Sequence, residues 1–134
     1  MLQNRIELKG KFTGMKANEI RVGNIFIGYD DKLFSWGLKE FSFIEPDVNI
    51  SIDEIIKSPV VVSEEILLKV GFEKVLNKYT LKTCDKPFII IFLDNSFKYD
   101  DLRFETAVNN LHQLQNIYFA LTGKELDTSN LTDL

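Results

Sequence analysis

One histidine, His112, stands among amides, with Gln113, Gln115 and Asn116 following it within four residues. An imidazole can act as a general base, but it needs a carboxylate to orient it and a nucleophile or water to activate, and the sequence places neither at a recognisable spacing. The same four side chains can instead donate and accept hydrogen bonds, either tying a helix to nearby backbone or engaging a partner protein. The tie to the fold outweighs partner recognition, because polar groups near a core need internal partners. His112, Gln113, Gln115 and Asn116 are the candidate partner-binding set, and no residue is assigned a catalytic role.

Neighbouring carboxylates occur at Asp30 and Asp31, Glu64 and Glu65, and Asp100 and Asp101. Holding a divalent cation or dividing acid and base roles requires oxygens converging from separate segments. The first and third pairs fit turns and the second fits a helix N-terminus, so solvated charge is the better account. Cys84 is followed by Asp85, whose negative charge disfavours a thiolate nucleophile. A transition-metal site of soft ligands is excluded by a chain with one Cys and one His. Gly23, Gly28 and Gly37 are isolated rather than grouped into a phosphate-cradling loop. No metal or other cofactor is expected.

The aromatic set Phe26, Tyr29, Phe34, Trp36, Phe41 and Phe43 offers a different chemistry. Aromatics on a small sheet can stack single-stranded bases or grip an extended peptide, with phosphate contacts from Arg21 and the basic start of the chain. Core packing outweighs this, because only Lys32 and Lys39 interleave the aromatics between residues 25 and 44. Arg21, Phe34 and Trp36 carry the alternative nucleic-acid reading.

Length and composition bound the elements that must position these groups. A chain of 134 residues can build one ordinary core, and 11 Phe, 4 Tyr and 1 Trp make that core largely aromatic. Net charge is −4, unevenly placed: residues 1–24 carry five basic against two acidic residues, and the remainder 11 against 18. A duplex-binding protein normally shows a domain-wide basic excess, which is missing. The longest apolar run, 88–93, is too short to cross a membrane, and the N-terminus lacks the apolar centre of a signal peptide. With a lone cysteine, these features point to a cytoplasmic protein without membrane partners.

The pattern predicts a single α+β domain, 1–134, in which residues 1–14 form an N-terminal arm. Residues 17–62 read as a curved antiparallel sheet or small partly open barrel. Within it lies a hairpin of 25–29 and 33–38, continued through Phe41 and Phe43 after a bend at Gly37, and then a strand at 48–52. Ser51 and Glu54 also match a capping box, so a helical turn competes with that last strand. A short strand at 60–62 precedes a helix at 63–71, with Ser63 as N-cap and Gly71 as C-terminal stop. Residues 63–134 continue as an antiparallel meander whose strand 88–93 reads as buried on both faces. A C-terminal helix covers it, with Leu111, Leu114, Tyr118 and Leu121 on one stripe, widened by Ile117 and Phe119, and Gly123 ending it.

Three stretches, KANEIRVGN at 16–24, VSEEILLKVGFEK at 62–74 and LHQLQNIYFALTGKEL at 111–126, together resemble a family of small uncharacterised proteins of gut-bacterial genomes, prophages and phages. The motifs cover under a third of the chain. The resemblance implies fold and genomic context and carries no activity. The expected function is thus non-enzymatic: an accessory or interaction protein of a mobile genetic element with a protein partner. The alternative is a single-stranded nucleic-acid or nucleoprotein-binding module, and the third reading is a metal-dependent or hydrolytic enzyme.

Overall fold

The computed structural model describes residues 17–44, 50–83, 86–100 and 105–131. Several expected features lie outside the described residues: the arm at 1–14, an edge strand at 5–12, the turn at 45–47, Val48 and Asn49 of the proposed strand, Cys84 with Asp85, and Asp101 through Phe104. The protein has α+β architecture, with one three-stranded and one five-stranded sheet and no closed barrel. It divides into two compact units, Met1–Val60 and Val61–Leu134.

In the first unit a 3-10 turn, Ala17–Glu19, leads to strands β1 (Ile25–Ile27) and β2 (Leu33–Ser35), which form the expected hairpin. The turn holds because Gly28 N–H donates to the Lys32 carbonyl at 2.9 Å and Lys32 N–H to Asp30 Oδ1 at 3.1 Å. Residues beyond Gly37 do not continue the sheet. They form helix α1 (Leu38–Phe43), entered where Glu40 reaches back to accept the Gly37 N–H at 2.8 Å. Phe41 and Ile44, three apart, pack on the core formed by Ile20, Phe26, Trp36 and Ile56. That helical spacing prevails over the period-two reading of Phe41 and Phe43.

The competing capping signal also prevails at Ser51. Its N–H donates to Glu54 Oε2 at 3.1 Å, opening helix α2 (Ile52–Ile55) in place of the favoured strand. Ile52 and Ile55 then reach the same core as Ile56. Strand β3 (Ser58–Pro59) pairs antiparallel with β1 and precedes the position expected for it.

In the second unit Val61 makes a single antiparallel bridge to Asn110, where a strand at 60–62 was expected. Helix α3 (Glu64–Lys69) follows, with Ser63 Oγ accepting the Ile66 N–H at 3.3 Å. It ends on Gly71 at φ 106, where Gly71 N–H reaches the Leu68 carbonyl and Phe72 N–H the Leu67 carbonyl. This paired closure satisfies two end carbonyls and needs the left-handed glycine.

Strands β4 (Glu73–Val75), β5 (Lys78–Leu81), β6 (Phe88–Leu93), β7 (Ser96–Asp100) and β8 (Glu105–Ala107) pair antiparallel in sequence order. Strand β4 has no alternating pattern to announce it, being exposed throughout. Asp94 and Asn95, both at positive φ, make the tight β6–β7 turn.

Register places Lys74, Tyr79, Ile90, Tyr99 and Thr106 in one row across the sheet. Phe88 and Ile90 on that face are buried, whereas Ile89 and Ile91 are half-buried and Phe92 and Leu93 exposed, so β6 is sealed on one face rather than two.

Helix α4 (Leu111–Thr122) lays Tyr118 against Phe88, with ring centroids 5.2 Å apart. Leu111, Leu114 and Tyr118 are buried as the stripe predicts, but Leu121 and Phe119 are exposed, and His112 and Gln115 are buried in their place. Gln115, four residues from Leu111, stays on the buried face, whereas Leu121 lies in the last turn of the helix and is exposed there. Truncating a fully buried side chain tests each core separately. Phe26→Ala should cost about 3–5 kcal/mol and Leu114→Ala about 2–5 kcal/mol in chemical denaturation. Losses under 1 kcal/mol would contradict this packing.

Candidate functional site

The amide-rich face of α4 is divided between burial and capping. His112 and Gln115 are each 4% exposed, and Asn116 is half-buried. Gln113 is committed locally: its Oε1 accepts the N–H groups of Asn109 and Asn110 at 3.1 and 3.0 Å, satisfying donors at the helix start. The four residues therefore do not present one common polar surface.

Burial also withdraws the nucleic-acid set from the surface. Trp36 is 0% exposed, with its ring edge-on to Phe26 at 6.1 Å and to Phe41 at 5.5 Å. A ring enclosed in this way has no face to offer a base. Phe34 packs against the same cluster, and Arg21 is half-buried with its N–H donating to the buried Asn24 Oδ1 at 2.7 Å. The Trp36 indole N–H has no hydrogen-bond partner among the described residues.

Members of the first two acidic pairs are engaged by lysines. Asp31 pairs with Lys57, Glu65 with Lys69 at 3.5 Å, and Glu64 with Lys74. Among the described residues no group of three or more His, Cys, Asp or Glu side chains is placed to hold a metal ion. No helix among them is long and apolar enough to cross a membrane.

The structure assembles a different surface at one end of the five-stranded sheet. A groove of about 430 Å3 runs between the segment before α3, the β6–β7 turn and the segment entering α4. Its apolar surface comes from Val61, Phe92, Phe97 and Val108, and Ser63, Asn95 and Asn109 add polar groups. Backbone hydrogen bonds fix the walls: Val62 N–H donates to the Asn109 carbonyl at 2.9 Å and Val108 N–H to the Phe97 carbonyl at 2.8 Å. Phe92 and Phe97 meet with centroids 4.7 Å apart. Beside them, Phe92 N–H bonds the Asn77 carbonyl at 2.8 Å and Asn77 Nδ2 the Phe92 carbonyl at 3.1 Å, which ties the Leu76–Asn77 turn to the groove's edge.

The one carboxylate among the described residues of the groove, Glu64, is already engaged. It accepts the Tyr79 hydroxyl at 2.9 Å and the Lys74 ammonium. The Lys74 hydrogen bond holds the Glu64 carboxyl below its ordinary range, and the same bond raises Lys74. Burial, then the bond to Glu64, pushes the Tyr79 phenol up. The charge of Glu64 is thus paired with that of Lys74.

Sequence reasoning missed this site because Val61, Leu76 and Phe92 look like strand residues. The usable signal was Asn77, a turn residue just before the alternating β5. No family model, curated protein or solved structure matches the chain.

The linked trio sets a pH window. Glu64, lowered, stabilises the fold above the unfolded carboxyl value, and this is lost as pH falls through its depressed folded value. Lys74 and Tyr79, raised, contribute below their unfolded values and lose that contribution as pH rises through their elevated ones. In Glu64→Gln the acid-side loss should shrink and the Tyr79 phenol should titrate closer to its ordinary value, by tyrosinate absorbance and pH-dependent melting. An unchanged phenol titration would remove Glu64 from this account.

Proposed function

We propose that the protein acts through protein contacts, without catalysis, as an accessory factor of a mobile genetic element, and that its groove receives an extended apolar segment of a partner protein. The observation that carries this reading is Leu76, 86% exposed and at φ 57 on the β4–β5 turn. Left-handed backbone costs a leucine roughly 1–2 kcal/mol, and no burial offsets it here. Asparagine or glycine would suit the turn better. A side chain placed against local preference and in full solvent is accounted for when a partner covers it.

Its surroundings support the same reading. Phe92 and Val61, both on the groove, are also exposed, and an apolar surface rimmed by polar groups is the usual character of a contact site. The floor suits alternate apolar side chains of an extended chain, and Asn95, Asn109 and Ser63 can bond its backbone. The mobile-element context rests on the resemblance of the three sequence motifs alone.

A photo-crosslinking amino acid at position 76, introduced in host cells, tests the contact. The crosslinked species should be a protein, and a peptide from its attachment point should bind the purified chain and fail to bind Phe92→Asp. Equal binding to that variant would sink the groove. In the same background, Leu76→Asn should raise stability by about 0.5–1 kcal/mol while weakening the peptide at least several-fold. Concentration-dependent dimerisation abolished by Leu76→Asn would replace the partner with a second copy of this chain.

A further inference from the structure

Among the described residues that line the groove, Glu64 is the only ionisable side chain, with no lysine, arginine or histidine beside it in the lining. Its two internal bonds fall on one oxygen: Oε1 accepts the Tyr79 hydroxyl at 2.9 Å and also the Lys74 ammonium. Oε2 takes part in neither, and the side chain stays 46% exposed. An ionised carboxylate accepts along both oxygens, so two donors on one leave capacity on the other.

Two elements fix this placement. Ser63 Oγ accepts the Ile66 N–H at 3.3 Å, which starts α3 so that Glu64 follows directly on the groove. From the sheet, register sets Lys74 opposite Tyr79, and their polar ends reach the same carboxylate oxygen. The Tyr79 ring lies edge-on to Phe97 with centroids 5.6 Å apart, and Phe97 meets Phe92 at 4.7 Å. One residue therefore joins the carboxylate to the pair of rings in the groove. The bond to Lys74 holds the Glu64 carboxyl below its ordinary range, so it is an anion at neutral pH.

We infer that the extended segment received by the groove carries an arginine, whose guanidinium meets Glu64 Oε2 while neighbouring apolar residues cover Phe92 and Phe97. The assignment rests on the groove being a protein contact and adds the chemistry of its occupant. A partner lying there strips water from Glu64, and a carboxylate oxygen covered without a donor is costly. Hydrogen bonds to an ionised donor are about twice as strong as neutral ones, so a cation offsets that cost better than an amide or a hydroxyl. Arginine suits the site better than lysine. Its charge is spread over a plane and weakly hydrated, and its flat face lies well on an aromatic ring, whereas a compact ammonium would concentrate charge beside Lys74. An acidic segment would meet Glu64 with like charge.

Random heptapeptides displayed on phage, selected in parallel on the immobilised full chain and on Phe92→Asp, yield the groove-dependent sequences by difference. These should share an arginine at a fixed distance from two or more apolar residues. The most enriched peptide is then synthesised with arginine and with citrulline, which removes the charge at nearly constant shape. Arginine should bind the wild type at least fivefold tighter at low salt, where screening is least. Glu64→Gln should bring that ratio close to one, whereas Lys74→Met, which relieves the carboxylate of its resident cation, should raise it. Groove-dependent peptides without arginine, lysine enriched equally, citrulline binding as tightly, or a ratio unchanged in Glu64→Gln would overturn the inference and leave the groove standing. A ratio lowered by Lys74→Met would also overturn it, because Glu64 would then act only through its bond to Lys74. Selection of the same peptides by Phe92→Asp would remove the groove itself, and this inference with it.

Discussion

The ring of Phe88 meets Phe72, Tyr99 and Tyr118 at centroid separations of 6.2, 4.8 and 5.2 Å, so one side chain joins the exit of α3, strand β7 and helix α4. Its position is set by register. Leu81 opposite Phe88 and Tyr79 opposite Ile90 put the aromatic and aliphatic residues of β6 on the face that the helices cover. A slip of one residue would turn Ile89 and Ile91 inward and send Phe88 to the open face, breaking all three ring contacts together. The tight turn at Asp94 and Asn95 pins the same register from the far end, since both residues tolerate the positive φ it demands.

The elements legible in the sequence are those specified by chemistry within a few residues. Ser63 and Gly71 bound α3 and Gly123 stops α4 because a side-chain acceptor and a left-handed glycine act locally. What misled was the period read without its tertiary partner. Phe41 and Phe43 alternate as a strand would, yet Trp36 offers a surface that Phe41 and Ile44 reach together only from a helix. Ile52 likewise gains the core through Ile55 and Ile56, and the Glu54 cap tips the balance. At β6 a continuous apolar run suggested two covered faces, but the second row, Val75, Lys78, Ile91, Lys98 and Ala107, alternates apolar and charged residues and remains at least partly in solvent.

The candidate surfaces were less legible than the fold for a related reason. His112 and Gln113 attracted attention because polar side chains on a helix are conspicuous, yet the first is buried and the second caps the helix. The groove depends on Phe92 being near a strand end, with Leu76 exposed on the turn bonded to it through Asn77, where the same residue types cease to be core. A lysine cavity at the other end of β6, lined in part by Lys82, Lys86 and Lys124, depends on a return of the chain after Gly123 that brings Lys124 to residues some forty positions earlier. No spacing along the chain encodes either convergence.

Strand β6 carries a residue of each surface on one face, Phe88 at the lysine cavity and Phe92 at the groove. Four residues of extended chain separate them by about 13 Å. Between them stands Ile90, fully buried and paired with Tyr79 and Tyr99 on either side. Substitutions farther apart than roughly 7–10 Å with no shared partner usually add. Phe97 touches both Phe92 and Tyr79, but Phe88 contacts neither Phe97 nor Phe92 ring to ring among the described pairs. The sheet therefore presents an apolar groove at one end and a cavity lined in part by lysines at the other. Its buried middle is expected to let side chains at one end change without moving those at the other unless the β6 register itself shifts.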